Sequence, residues 1–330
     1  MTRALVPSGV SRLLVIHPGA LGDVLLALPA LAHLGRLFPG VRRVLAAAPR
    51  LVALLRGSAY VEEGADLESL DLHGLFVADP APHVLRRLAG YDVVVSWLGA
   101  GDPVFRAHLA GLARAVVARA TPSGSRIHAS RHLLDTLAPL GPLPEPVSPI
   151  HLEVRLTPRE AERAWAAAWL EARGLRTGEA IVLHPGAGSG AKAWPGFPAL
   201  ARRLRDAGLP VVVVAGPADR GALTRVMAGG GVEESRVAPD LALPSLAALL
   251  REARTFVGND SGLSHLAAAV GAPSLVLFGP TDPRVWAPPG GHVTTLAGAG
   301  SDADDPWAGL TPSRVESALA AASRLGALAG

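Results

Sequence analysis

The sequence predicts an α/β protein made of two doubly wound halves in tandem, each built on a parallel sheet. Three observations carry this. Short β-rich apolar runs alternate with helical stretches along the chain, the tetrapeptide His-Pro-Gly-Ala follows a strand in each half, and a proline-rich segment lies between the halves. Apolar runs without polar alternation mark strands buried on both faces, as in parallel sheets. A weak internal echo of this kind is expected of two Rossmann-like domains in tandem. At 330 residues the chain is too long for one typical core.

Residues 12–16 read as the first strand, which runs into His17-Pro18-Gly19-Ala20-Leu21-Gly22-Asp23 and then a helix over 24–37. Residues 41–47, 91–97 and 114–118 read as further strands of this half. Residues 139–149 hold five prolines in eleven positions and read as a linker, which sets the domains at 1–150 and 151–330. Thr157 is expected to cap a helix that has Pro158 at its first position. The second half opens with a strand over 180–183, which runs into His184-Pro185-Gly186-Ala187-Gly188-Ser189-Gly190 and then a helix over 197–207. Residues 211–215, 255–257 and 274–278 complete its expected strands. The tail over 311–328 repeats the Thr-Pro start and reads as a helix that packs back on the first domain.

Composition narrows the function. No apolar run reaches the roughly 18 residues of a membrane span, and the first apolar stretch, 13–16, is too short for a signal peptide. A cytoplasmic protein is expected. With no cysteine there are no disulfides, thiolate metal sites or cysteine nucleophile. The net charge is +3, and the basic residues are scattered with no run of five. This argues against a nucleic-acid partner and leaves a peripheral attraction to an anionic membrane surface. The chain holds one lysine, Lys192, one asparagine, Asn259, and no glutamine. Thermophile composition and a biased genome base composition would both produce this depletion. Both surviving residues fall in glycine-containing segments.

Five segments carry chemistry. In Gly19-Ala20-Leu21-Gly22-Asp23, small residues let a ligand approach the backbone, and Asp23 stands at a sheet's carboxyl edge, either as a general base or as a cap of the following helix. In Gly186-Ala187-Gly188-Ser189-Gly190-Ala191-Lys192, backbone N–H groups can cradle phosphate, and Lys192 adds a mobile charge. The frame is not a Walker A motif, and a solvated loop lysine is the alternative. In Gly258-Asn259-Asp260-Ser261-Gly262-Leu263-Ser264-His265, a turn opens a helix whose first N–H groups, at Ser261, Gly262 and Leu263, form an anion site faced by His265; an ordinary capped helix is the alternative. In Phe278-Gly279-Pro280-Thr281-Asp282, Thr281 and Asp282 either contact a sugar or Asp282 caps the next turn. In Gly216-Pro217-Ala218-Asp219, Asp219 either bonds a ribose diol or caps a helix. The histidines include no HExxH frame, so no metal is expected.

These segments resemble the heptosyltransferase family, the ADP-heptose:lipopolysaccharide transferases of glycosyltransferase family 9. The resemblance rests on Leu21-Gly22-Asp23-Val24-Leu25 with Leu28-Pro29-Ala30-Leu31, on His184-Pro185-Gly186-Ala187 with Lys192-Ala193-Trp194-Pro195, and on Asn259-Asp260-Ser261-Gly262-Leu263-Ser264-His265 with Phe278-Gly279-Pro280-Thr281-Asp282-Pro283. It implies a GT-B fold, two Rossmann-like domains facing across a cleft. It also implies an inverting, metal-independent transferase that takes a sugar from an ADP- or other nucleotide-diphosphate donor to a saccharide or glycolipid acceptor. Asp23 would be the base, Lys192 would hold the leaving diphosphate, and Asp260 would bond the donor sugar. This chain departs from the family at Gly19-Ala20, where a serine pair is usual, and at Trp97-Leu98-Gly99-Ala100-Gly101-Asp102. A nucleotide-sugar epimerase or hydrolase of the same fold, and a non-catalytic sugar-nucleotide binding module, stand as alternatives.

Overall fold

The computed structural model describes residues 9–122, 126–145, 152–300 and 304–326. The chain divides into two compact units, Met1–Val154 and Arg155–Gly330. Part of the proline-rich segment, from 146 on, lies outside the described residues.

The first unit runs β1 (Arg12–Ile16), α1 (Leu21–Leu26), α2 (Leu28–Leu37), β2 (Arg42–Ala47), α3 (Pro49–Leu55), β3 (Glu63–Asp66), α4 (Pro82–Leu88), β4 (Val93–Ser96), α5 (Pro103–Leu112), β5 (Arg114–Val117) and α6 (Ala129–Asp135). All its strand pairs are parallel, in the order β3-β2-β1-β4-β5. Where the sequence predicts one helix over 24–37, the structure has two, which meet at Ala27. Pro29 stands in the first turn of α2 and cannot donate to a preceding carbonyl, so one turn ends and another begins. The first of the two starts early, at Leu21, and this places Asp23 inside its first turn.

The second unit runs α7 (Glu160–Glu171), β6 (Ile181–His184), α8 (Phe197–Asp206), β7 (Val211–Ala215), α9 (Arg220–Ala228), β8 (Val237–Pro239), α10 (Leu243–Arg251), β9 (Thr255–Asn259), α11 (Gly262–Ala269), β10 (Ser274–Phe278), α12 (Pro283–Trp286), β11 (Val293–Ala297) and α13 (Pro312–Gly326). Its parallel sheet has the order β11-β10-β9-β6-β7-β8. Counted from its own first strand this is 3-2-1-4-5-6 read from the other edge, the dinucleotide-binding order, and the strand sequence reverses direction between β6 and β9.

The core follows from periodicity. The four valines of β7 are fully buried, and α8 buries Phe197, Leu200, Ala201 and Leu204, one stripe at helical spacing. The C-terminal helix α13 puts Val315 and Leu319 into the core of its own unit, beside Leu310 and α8. Thr157 is not the cap of α7. Arg159 holds the cap position, because Leu156 N–H bonds Ala269 O and keeps the chain extended, while Arg159 reaches Glu162. Strand β9 runs two residues past its expected end, since Asn259 pairs Leu277 and Asp260 N–H bonds Leu277 O.

Candidate functional site

The site of the second unit is built at the carboxyl ends of β6, β9 and β10. Rossmann-like sheets bind ligands outside this edge, where the strand order reverses. The β6 end leads into the glycine loop, β9 into Asp260 and α11, and β10 into Thr281.

The structure brings three of the sequence-predicted residues together. Lys192 Nζ donates to Asp260 Oδ2 at 2.8 Å, and Thr281 Oγ1 donates to the same oxygen at 2.7 Å. The Asp260 side chain is 8% exposed and that of Lys192 34%, so the carboxylate is sheltered while the ammonium reaches toward solvent. Ser261 is the N-cap residue of α11, with Gly262 and Leu263 in its first turn and His265 buried one turn in. Asp282 accepts Arg284 N–H at 2.9 Å, which realises its capping alternative.

Asp219 holds the N-cap position of α9 without a side-chain cap bond and instead reaches back to accept Gly216 N–H at 2.8 Å. The same oxygen lies 3.1 Å from His184 Nε2. Burial pushes the Asp219 carboxyl up, but the hydrogen bonds it accepts from His184 and from Gly216 N–H outweigh it and hold the group below the usual carboxylate range. Gly186 lies against this pair: a Cβ there would stand 1.9 Å from Asp219 Oδ1, so only glycine admits the aspartate beneath the loop. Ala187 follows it, half-buried.

Sequence reasoning missed two residues here. Asn259, fully buried, holds the loop in place: its Oδ1 accepts Trp194 N–H at 3.0 Å, and its Nδ2 donates to Pro185 O and Gly186 O at 3.1 and 2.8 Å. The sole asparagine is therefore a clamp rather than a turn residue. His184, 2% exposed, bonds Asp219 on one ring nitrogen, and Ser261 Oγ lies 3.3 Å from the other. Its signal was its position, last in a strand and just before the glycine loop, repeated at His17.

Asp23 stands in the first unit, half-buried, and its Oδ2 accepts Ala20 N–H at 2.9 Å. Beside it is His17, 1% exposed, whose Nδ1 accepts Gly19 N–H at 3.1 Å and whose ring meets Trp97 edge-on at 5.2 Å. A Cβ on Gly19 would lie 2.6 Å from Asp23 Cβ and 2.7 Å from His17 Cε1, so glycine is what lets the two side chains come this close. His128 and His132, four apart, are committed to Ser130 N–H and Arg119 O.

Two parallel six- and five-stranded α/β units with this strand order define the GT-B class of glycosyltransferase folds. The solved structure of E. coli ADP-heptose lps heptosyltransferase II superposes with a TM-score of 0.72 at 22% identity, covering 96% of this chain and 99% of that one. The chain belongs to glycosyltransferase family 9 (heptosyltransferase), whose family model matches residues 125–303, more than half of it. Lipopolysaccharide heptosyltransferase 1 of Pseudomonas aeruginosa is 42% identical over 95 residues, 28% of this chain and 26% of that protein. Lipopolysaccharide heptosyltransferase 2 of Escherichia coli is 36% identical over 119 residues, 34% of each. The matched segments thus span about a quarter and about a third of these two curated relatives.

Proposed function

We propose that the chain is an inverting glycosyltransferase that moves a sugar, expected to be heptose, from an ADP- or other nucleoside-diphosphate donor to a saccharide acceptor of a cell-envelope glycolipid such as lipopolysaccharide. The observation that carries this reading is the Lys192–Asp260 pair with Thr281, set at the sheet's carboxyl edge next to the start of α11. The similar proteins, lipopolysaccharide heptosyltransferases and an ADP-heptose lps heptosyltransferase, support heptose, ADP and lipopolysaccharide as substrate classes.

In this reading Asp23 takes the proton of the acceptor hydroxyl as that oxygen bonds the anomeric carbon. The anomeric C–O bond to phosphate breaks on the opposite face, and its electron pair leaves on the diphosphate. Negative charge grows on the leaving oxygen, so a fixed cation and helix N–H groups there lower the barrier. Lys192 and the N–H groups of Ser261, Gly262 and Leu263 supply them, with His265 close behind. Asp260 holds the donor sugar hydroxyls, and Gly186 and Ala187 present backbone to the phosphates. Asp219 remains assigned to the donor side, where its bonds to His184 and Gly216 act through the glycine loop. The reaction is proposed to run without metal or cofactor, on the inner face of the membrane and peripheral to it, with the enzyme in the cytoplasm.

The test is product analysis with ADP-heptose, with and without a heptose-deficient lipopolysaccharide acceptor. Acceptor-dependent ADP release and an inverted glycosidic product are expected. Donor turnover without acceptor would make the protein a hydrolase or epimerase, and donor binding with no turnover on any acceptor would make it a binding module.

A further inference from the structure

We infer that His184 and Asp219 are positioning residues that hold the Ser261 side chain off the start of α11, so that the first N–H groups of this helix stay open to an anion. The inference rests on the reading above, in which this helix end receives the donor diphosphate.

A serine at an N-cap ordinarily turns its oxygen to the N–H two or three residues on and so closes the helix start. Ser261 has the extended backbone of an N-cap, φ −154° and ψ 164°, yet its side chain makes no capping bond. Its carbonyl accepts Ser264 N–H and His265 N–H at 3.1 and 3.4 Å, while Gly262 and Leu263, in the first turn, have no helical carbonyl to bond. The hydroxyl is diverted to His184 Nδ1, 3.3 Å away.

The direction of each bond follows from chemistry. Asp219 is an ionised carboxylate and only accepts, so His184 Nε2 carries a proton and donates to it. In the neutral imidazole Nδ1 is then left as an acceptor, and the Ser261 hydroxyl donates to it. The imidazole cannot swing away, because it is 2% exposed at the end of β6. Asp219 is fixed in turn by Gly216 N–H and by the missing side chain of Gly186. Three residues from three strand ends thus form one chain of bonds whose outcome is an uncapped helix start.

Calorimetric titration with ADP tests this on four proteins. His184→Leu frees the serine to cap α11, and ADP affinity is expected to fall about fivefold, the scale of one serine cap. Adding Ser261→Ala to His184→Leu removes the competing oxygen, and affinity is expected to recover to within about twofold of the parent. His184→Gln, which keeps a donor toward Asp219 and an acceptor toward Ser261, is expected to bind like the parent. A purely structural histidine would show no such recovery. An unmoved His184→Leu, or a loss that Ser261→Ala leaves in place, overturns the inference. Should the leucine variant not fold, 15N–1H correlation on the unmodified protein decides: a proton on His184 Nε2 alone is expected, and a proton on Nδ1 overturns it. No ADP binding by the parent defeats the functional reading and this one with it, whereas ADP binding with an unmoved leucine variant defeats this one alone.

Discussion

At the scale of single residues, His17 is a buried titratable side chain, 1% exposed. Burial alone pushes its imidazole down to about 4 from an ordinary 6.5. Nδ1 accepts the Gly19 N–H, so the neutral ring keeps its proton on Nε2, for which the described residues supply no acceptor. A group with a lowered folded pKa stabilises the protein above its unfolded pKa and stops doing so as pH falls. Between pH 6.5 and 4 the unfolded chain takes up a proton that the folded ring refuses. At about 1.4 kcal/mol per pH unit, this one site costs about 3 kcal/mol by pH 4. His17→Phe keeps the edge packing on Trp97 and removes the titration. Urea unfolding at pH 7 and pH 4 is therefore expected to show the parent losing about 3 kcal/mol more than the variant. Parallel losses would mean that the ring is protonated at no cost in the folded state.

At the scale of elements, the glycine loop after β6 is shaped by a strand three crossovers away in sequence. Asn259, at the end of β9, bonds Trp194 N–H, Pro185 O and Gly186 O, so one amide fixes both ends of the loop that carries Lys192. Asn259→Ala leaves these buried groups unpaired and is expected to cost about 3 kcal/mol in chemical unfolding, with weaker ADP binding as the loop loosens. A cost of a few tenths would mean that the loop holds itself. This clamp could not be read in the sequence, because a pairing across 65 residues leaves no local pattern. For the same reason His184 reads in the sequence only as part of the His-Pro-Gly-Ala echo. The central strands were legible, since β6, β7, β9 and β10 are buried on both faces and each holds a short apolar run. Strands β3, β8 and β11 were not: they are three to five residues long at or near sheet edges, partly exposed, and carry Glu, Asp, Pro or Thr. The chemistry-bearing segments were found because glycine and turn residues after a strand are a local signal. What those residues bond is set by topology.

At the scale of the whole molecule, the proposed labour divides along the chain. Lys192, Asp260, Thr281 and the start of α11 all lie in the second unit, Arg155–Gly330, whereas Asp23 lies in the first, where its carboxylate bonds Ala20. Donor binding and transfer should therefore be separable by mutation. Lys192→Ala removes a charged partner of the diphosphate and is expected to weaken ADP binding by about 1.5–3 kcal/mol. Asp23→Ala should leave ADP binding within about twofold, because the partners proposed for the diphosphate all lie in the second unit. The same variant should lower acceptor-dependent transfer by about 10²- to 10⁴-fold, the range for a lost general base. Calorimetry with ADP and the transfer assay on both variants form one experiment with four readings. If Asp23→Ala transferred sugar at the parent rate, its bond to Ala20 would be its whole role, that of a first-turn cap, and the base would have to be sought elsewhere. If it lost ADP binding as Lys192→Ala does, the two units would not divide the work as the sheet edges imply.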